Sequence, residues 1–260
     1  MFRKLIALSC AAVALATVAP APARANGPTL YALVAANATQ PFNVLIANFE
    51  KSHPGVKIEA NYTGTQILEQ QLENGAPCDI FLSADLPHAV KLRGEKLISP
   101  FRLVSRLHEV VVTPKTDALH ITTLRDLVSP HAKLIIGVPD VPIGIYTRTI
   151  FEKADRTYGG DFEKKALANV VSFEVNVKQV LQKIVLDEAD AGIVYKTDVD
   201  PTAAKSVNVV EIPANLNVPA SNYIAIATHT TNASLAGDFV AYALSPAGQA
   251  IFYRYGYDRK

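Results

Sequence analysis

Short apolar segments alternate with helix-forming segments along almost the whole chain, and this alternation limits the possible folds more than any other feature. Residues 30–35, 80–83 and 191–195 have the length and composition of buried strands. Segments with helical spacing of apolar residues lie between such runs, most clearly over residues 177–186. Strands separated by crossover helices predict an α/β fold with mainly parallel sheets flanked by helices.

The alternation occurs in two successive blocks, which predicts two lobes. The last predicted strand, over residues 223–228, and the helices after it are expected to return to the first lobe. The chain would then cross between the lobes near His108 and Ser221. The predicted boundaries are residues 26–107 with 222–260 for lobe 1, and residues 108–221 for lobe 2.

The first 25 residues have the pattern of a secretory signal peptide. A basic start is followed by an apolar run over residues 5–18 and by Ala23-Arg24-Ala25. Prolines follow that run, which is too short to span a bilayer, since about 20 apolar residues are needed. We therefore predict an exported protein cleaved after Ala25. Its remaining cysteine, Cys78, would leave it without an internal disulfide.

Charge and motif content exclude several classes of function. The formal net charge of the 260 residues is +1, so no basic excess indicates a nucleic-acid partner. The six histidines lack metal-ligand spacing, and no Walker A loop, G-x-S-x-G elbow or G-x-G-x-x-G turn is present. We expect neither a metal cation nor a cofactor, and no catalytic site.

Several strand-to-helix connections consist of small neutral residues. They cover residues 35–39, 63–66 and 140–146, and a fourth ends at Asn176. Ligands of α/β sheets bind at the carboxyl ends of strands, where helix N-termini expose unpaired N–H groups. Such loops can hold an oxyanion without a charged side chain. Ordinary capping is the alternative, with Asn37 and Gln40 as a capping-box variant and Thr65 as the next cap.

One segment carries a specific resemblance. Residues 66–85 resemble a segment of the periplasmic molybdate-binding proteins of ABC importers, L-x-x-Q-I-x-x-G-A-P-A-D-[VL]-F-[IL]-S-A-D. The matching stretch includes Gly75-Ala76-Pro77-Cys78-Asp79-Ile80-Phe81-Leu82-Ser83-Ala84-Asp85. Further segments match that family in order: residues 138–146, 176–181, 188–198 and 248–257. The resemblance covers nearly the whole chain after the signal peptide.

This resemblance implies a two-lobed type II periplasmic-binding-protein fold that closes around a dehydrated tetrahedral oxyanion. By position, the family's ligand contacts carry over to Asn37, Thr65, Ile143, Val177 and Tyr195. In the family these contacts are two Ser hydroxyls, backbone N–H groups and a Tyr hydroxyl. The chain departs from the family pattern where Ser is replaced by Asn37 and by Thr65, Ala by Ile143, and Arg by Lys178.

The implied function is that of an exported, monomeric solute-binding protein. It would capture molybdate or tungstate between its lobes and deliver the anion to a membrane permease of an ABC importer, without being an enzyme. Two alternatives remain open. One is a binding protein of the same fold for a sulfate-like oxyanion or a small organic anion. The other is an exported α/β enzyme acting on a small anionic substrate.

Overall fold

The structure is a computed structural model that describes residues 27–258, and its first sheet has five strands. They are β1 (Thr29–Ala35), β2 (Lys57–Thr63), β3 (Ile80–Ser83), β4 (Arg102–Leu107) and β10 (Ala220–Ile226), in the order β2-β1-β3-β10-β4. The helices connected to them are α1 (Thr39–Ser52), α2 (Thr65–Glu73), α3 (Leu86–Gly94), α7 (Ala233–Leu244) and α8 (Pro246–Arg254).

A second five-stranded sheet is formed by the middle of the chain. Its strands are β5 (Glu109–Pro114), β6 (Leu134–Gly137), β7 (Val170–Glu174), β8 (Ala191–Tyr195) and β9 (Val207–Glu211), in the order β7-β6-β8-β5-β9. The helices are α4 (Pro142–Tyr158), α5 (Phe162–Ala168) and α6 (Val177–Val185). Four short 3₁₀ turns cover Ala36–Ala38, Leu124–Val128, Lys196–Asp198 and Ala203–Lys205.

Each sheet has one reversed strand among four that share a direction. Strand β10 is antiparallel to β3 and β4, whereas β1 is parallel to β2 and β3. In the second sheet β5 is antiparallel to β8 and β9, whereas β6 is parallel to β7 and β8. The reversed strands are the two that follow a passage of the chain between the sheets. The predicted two-lobed α/β fold with mainly parallel sheets is confirmed.

The chain passes between the sheets at two places that are hydrogen-bonded to each other. His108 joins β4 to β5, and residues 212–219 join β9 to β10. Asn217 Nδ2 donates to the carbonyl oxygen of Glu109 at 2.8 Å, and Asn217 Oδ1 accepts from the Glu109 N–H at 3.3 Å. The lobe boundaries stay a prediction; β10 begins at Ala220, two residues before residue 222, where lobe 1 is predicted to resume.

Several local elements differ from the sequence expectations. The sequence predicts no strand at β4 or β7, and it predicts a helix over residues 122–128, where the structure has a 3₁₀ turn over Leu124–Val128. The backbone N–H groups of Thr122 and Thr123, just before this turn, donate to the side chain of Asp126. The sequence predicts that α4 starts at Ile145, but it begins at Pro142, because proline is well suited to the first helical position.

The predicted signal peptide, residues 1–25, lies outside the described residues. Within residues 27–258, no helix combines the length and apolar character that crossing a membrane requires.

Glu109, the first residue of β5, is a fully buried carboxyl group at the first crossing. Neither of its carboxyl oxygens has a hydrogen-bond partner among the described residues, since Asn217 binds only its backbone. Burial raises the pKa of Glu109 to about 8, against smaller opposing effects of its own backbone N–H and of Lys153. The folded protein therefore keeps this carboxyl protonated at pH values where the unfolded chain has lost the proton.

This carboxyl should make the free energy of unfolding depend on pH. The pKa is higher in the folded state, so the folded state binds the extra proton between about pH 4.5 and about pH 8. Stability should fall over that range as pH rises, by up to about 1.4 kcal/mol per pH unit. Glu109→Gln should remove this slope and be the more stable protein at the upper end, as measured by urea denaturation.

The control is Glu188→Gln, which removes a carboxyl from an exposed position. It should leave the pH dependence of the parent nearly unchanged. Parallel stability curves for the parent and Glu109→Gln would contradict the assignment of a buried, protonated Glu109.

Candidate functional site

A small cavity lies where the carboxyl ends of strands from both sheets face each other. The space between its walls, including the part open to solvent, is about 210 Å³, and the walls come from the ends of β1, β2, β3, β6, β7 and β8 and the segments after them. None of the residues that line it is charged. The edges predicted to bind a ligand in an α/β sheet are therefore the edges that meet.

All five residues carried over from the family resemblance line this one cavity. They are Asn37, Thr65, Ile143, Val177 and Tyr195. Each is at most 4% exposed. The first two belong to the first sheet's loops and the other three to the second sheet's, so the two lobes contribute to one closed site.

Three helices begin at the cavity wall, and their first N–H groups have no partner within the helix. Helix α4 starts with Pro142, which has no N–H, so Ile143 supplies the first free N–H group of the helix. The hydrogen bonds within the helix begin with the N–H of Ile145, which donates to the carbonyl oxygen of Val141. Helix α6 starts at Val177 and α2 at Thr65. Helix N-termini carry partial positive charge, so their convergence favours an anion in the cavity.

Thr65 does not cap α2, and the capping interpretation of this residue is wrong. It is the first residue of the helix, and Gly64 stands at the cap position without a side-chain bond. Thr65 Oγ1 instead accepts from the backbone N–H of Ala84 at 3.1 Å. Since a hydroxyl has one hydrogen to donate, this contact orients the oxygen and leaves the hydrogen for a ligand.

Asn37 does not cap α1 either, because it lies within the 3₁₀ turn Ala36–Ala38 and the cap position of that helix is Ala38. Its Nδ2 donates to Asn222 Oδ1 at 3.0 Å, and its backbone carbonyl accepts from the Tyr257 hydroxyl at 2.6 Å. The predicted capping-box partner, Gln40, donates instead to Asp200 Oδ2 at 2.6 Å, across the lobes. Asn37 is thus fixed by residues from the other end of the chain.

Tyr195 places a buried hydroxyl at the cavity. It is the last residue of β8, is 1% exposed, and its hydroxyl has no hydrogen-bond partner among the described residues. Burial raises the pKa of this hydroxyl well above its usual value, so it remains a donor. Because an unpartnered buried hydroxyl is costly, this group indicates a ligand rather than simple packing.

Lys178 does not line the cavity, although it stands where the family has an arginine. Its Nζ lies 2.8 Å from Oδ1 of Asp198, whose carboxyl is fully buried. Asp198 Oδ2 accepts from the Tyr195 N–H at 3.2 Å. The lysine therefore stabilises the end of β8 through Asp198 and does not supply a positive charge to the cavity.

Hydrogen bonds between the lobes hold the cavity closed. Gln66 Nε2 donates to the carbonyl oxygen of Val175 at 2.8 Å, and Tyr146 Oη donates to that of Ala84 at 3.4 Å. The lobes also approach each other at Gly64, where an added Cβ would lie 2.2 Å from the Val175 oxygen. A side chain at position 64 is incompatible with this closed arrangement.

Three residues that fix the site were not identified from the sequence. Asn222 binds the side chain of Asn37, Ser105 binds Asn222 in turn, and Tyr257 binds the backbone of Asn37. Tyr257 belongs to the C-terminal motif shared with the resembled family, which was the one available signal. Asn222 and Ser105 lie in no motif, and only the folded chain brings them together.

No group of three or more His, Cys, Asp or Glu side chains within residues 27–258 could hold a metal ion. The Cys78 thiol is half-buried, and burial raises its pKa to about 12, so it remains protonated. The donors that line the cavity are amides and hydroxyls, which suit an anion better than a cation.

Comparisons with known proteins agree with this geometry. The protein from Mycobacterium tuberculosis named molybdate-binding protein ModA is 30% identical over 252 residues, which cover 94% of this chain and 92% of that protein. The Azotobacter vinelandii periplasmic molybdate-binding protein has a TM-score of 0.76 at 22% identity, covering 89% of this chain and 99% of its own. The Mycobacterium tuberculosis sulfate-binding protein SubI also has a TM-score of 0.76, at 15% identity, and the match covers 88% of this chain and 86% of its own.

The family described as bacterial extracellular solute-binding protein matches residues 30–258, which is nearly all of the described chain. That match, together with the 30% identity over 94% of the chain, decides between the classes left open by the sequence. The chain belongs to the bacterial extracellular solute-binding protein family and is a binding protein, not an enzyme.

Proposed function

We propose that this protein is an exported receptor that binds molybdate or tungstate in the closed cavity and delivers the anion to the permease of an ABC importer. The observation that carries the proposal is the meeting of Asn37, Thr65, Ile143, Val177 and Tyr195 around one uncharged cavity. The names of the relatives from Mycobacterium tuberculosis and Azotobacter vinelandii support molybdate as the ligand.

The arrangement of donors favours a tetrahedral oxyanion. Helix N-termini of α2, α4 and α6 and the hydroxyls of Thr65 and Tyr195 surround the space from both lobes. Such donors can replace the hydration of an anion whose charge is spread over several oxygens. A carboxylate usually attracts a bidentate arginine, and no arginine lines this cavity. A small organic acid is therefore the weaker candidate.

Sulfate is the alternative that the structure favours next. Its shape and charge match the same donors, and the sulfate-binding protein SubI shares the fold. Asn37 and Ile143 are larger than the family's Ser and Ala, which makes the pocket smaller than the family pattern. Relative affinities, rather than the presence of binding, will separate the two anions.

Export and partners are part of the proposal. Cleavage after Ala25 would release the chain from the membrane after secretion. The released protein would act as a monomer whose lobes carry the anion to the permease. Molybdate is the cargo here, and the donor set gives no reason for a resident cofactor.

A calorimetric titration tests the proposal directly, with molybdate, tungstate, sulfate, hydrogen phosphate and small carboxylates. We expect molybdate and tungstate to bind most tightly, in the nanomolar to micromolar range. At about 100 times the dissociation constant, the ligand should stabilise the fold by roughly 2.7 kcal/mol, which a thermal melt would detect. If neither anion changes the melting temperature at millimolar concentration, the proposed function is wrong.

Tyr195→Phe should weaken anion binding without unfolding the protein. It removes a hydroxyl that has no partner among the described residues and keeps the buried ring. A hydrogen bond to a charged group contributes roughly 1.5–3 kcal/mol, so affinity should fall about tenfold or more. The melting temperature without ligand should stay equal or rise, since an unsatisfied buried group is lost.

The matched control is Tyr31→Phe, which removes a hydroxyl from a residue that is 40% exposed and outside the cavity. It should leave the affinity unchanged. Equal affinities for the parent and Tyr195→Phe would show that Tyr195 only packs.

Gly64→Ala should block closure while each lobe stays folded. The added Cβ would collide with the Val175 oxygen, but the backbone of Gly64, with φ of −65°, is open to alanine. We expect at least about a tenfold loss of affinity, because the lobe 2 donors no longer reach the anion. Small-angle scattering should show that ligand fails to compact this variant.

Gly94→Ala serves as the control, because an added Cβ there meets no atom within 4 Å. This variant should bind and compact like the parent. Normal binding by Gly64→Ala would mean that the closed arrangement is not the form that holds the anion.

A further inference from the structure

Three buried polar side chains form a hydrogen-bonded row that ends at the cavity. Asn37 Nδ2 donates to Asn222 Oδ1 at 3.0 Å, and Asn222 Nδ2 donates to Ser105 Oγ at 3.1 Å. Asn222 and Ser105 are 0% and 1% exposed, and neither lines the cavity. Only Asn37, at the end of the row, is in position to meet a ligand.

The sheet itself aligns this row. Asn222 in β10 and Ser105 in β4 are directly opposite in the antiparallel register, which shifts between Asn222 and Tyr223. A bulge of this kind redirects the side chains beside it, and opposite residues lie close enough to bond. The row is therefore part of the fold of lobe 1 and does not depend on the position of lobe 2.

The direction of these hydrogen bonds determines which side-chain atom of Asn37, Oδ1 or Nδ2, remains without a partner in the row. With Nδ2 bonded to Asn222, Asn37 Oδ1 has no hydrogen-bond partner among the described residues. The spare group is then an acceptor. An anion that carries only acceptor oxygens cannot satisfy it, whereas an anion that carries an O–H can donate to it.

The same row can also run in the opposite direction. Turning both amides by 180° would let Asn222 Nδ2 donate to Asn37 Oδ1 and let Ser105 donate to Asn222 Oδ1. A serine hydroxyl can serve as donor or acceptor, so the reversed row keeps the same number of bonds. No other hydrogen bond of the Ser105 hydroxyl is seen within residues 27–258 that would oppose this. Asn37 Nδ2 would then be left to donate to an anion.

We infer that Asn222 and Ser105 are positioning residues that set whether Asn37 offers an acceptor or a donor, and that the row reverses to match the protonation of the bound oxyanion. Molybdate and sulfate, which are fully ionised, take the reversed row. Hydrogen phosphate, a dianion with one O–H, takes the row as observed. This inference rests on the proposed function, because it concerns the anion held in the same cavity.

The test is Asn222→Asp, which fixes the direction of the row. A carboxylate only accepts, so Asn37 Nδ2 and the Ser105 hydroxyl must both donate to it, and Asn37 Oδ1 is left over. Binding is measured at about pH 8, where molybdate, sulfate and hydrogen phosphate are all dianions. The added charge repels the three alike, so the ratios of their affinities report the direction of the row.

We expect the affinity ratio of hydrogen phosphate to molybdate to rise about tenfold or more over the parent ratio. The ratio of sulfate to molybdate should stay within about threefold, since neither anion carries a proton. Asn222→Ala, which removes the row without adding charge, should not shift the ratio towards hydrogen phosphate. Equal losses for all three anions in Asn222→Asp, or the same ratio change in both variants, would overturn the inference.

A measurement on the parent protein covers the case in which a variant fails to fold. The side-chain amide signals of Asn222 should shift in ¹H–¹⁵N NMR spectra when molybdate binds and stay in place when hydrogen phosphate binds. Equal shifts with both anions would contradict reversal of the row. A parent that binds none of the three anions would instead refute the proposed function, so the two failures are distinguishable.

Discussion

The cavity between the lobes offers no positively charged side chain, so the proposed anion would have to be held by backbone and hydroxyl donors alone, and the rest of the structure fits that constraint. A single helix N-terminus offers only about half an elementary charge, so several must point at the same space. Helices α2, α4 and α6 do so because each follows a strand whose carboxyl end faces the other lobe. Mainly parallel sheets are the architecture that places these strand ends together.

The second requirement is that the two sets of donors can separate and meet again. The chain crosses between the sheets only at His108 and over residues 212–219 within the described chain, and Asn217 bonds the two crossings together. Under the proposed function, these paired crossings would serve as the hinge between the lobes. The absence of a side chain at Gly64 lets the closed position bring Val175 close to α2.

Much of this fold could be predicted from the sequence, because buried strands and amphipathic helices have clear patterns. The bounds of β3 and β8 agree with those predicted from the sequence. Strand β7 was missed because its apolar residues face outward: Val171 is 58% and Phe173 is 47% exposed. Strand β4 was missed because buried Ser105 interrupts its apolar pattern.

The candidate site could also be predicted only in part. Five of the residues that line the cavity could be located from motifs, since each lies beside a recognisable strand end or helix start. The hydrogen bonds that orient them could not, because Asn37 contacts Asn222, 185 residues later, and Tyr257, 220 residues later. Local sequence favoured a cap at Asn37 and Thr65, and tertiary contacts replaced that role.

The neutrality of the cavity also affects which ions reach it and how they leave. Without cationic side chains, an open cleft would exert little long-range attraction, so it would not concentrate abundant monovalent anions such as chloride. Once the lobes parted, water would reach the freed N–H groups, and no buried charge would be left without a counterion. Under the proposed function, release of the anion would therefore break no ion pair.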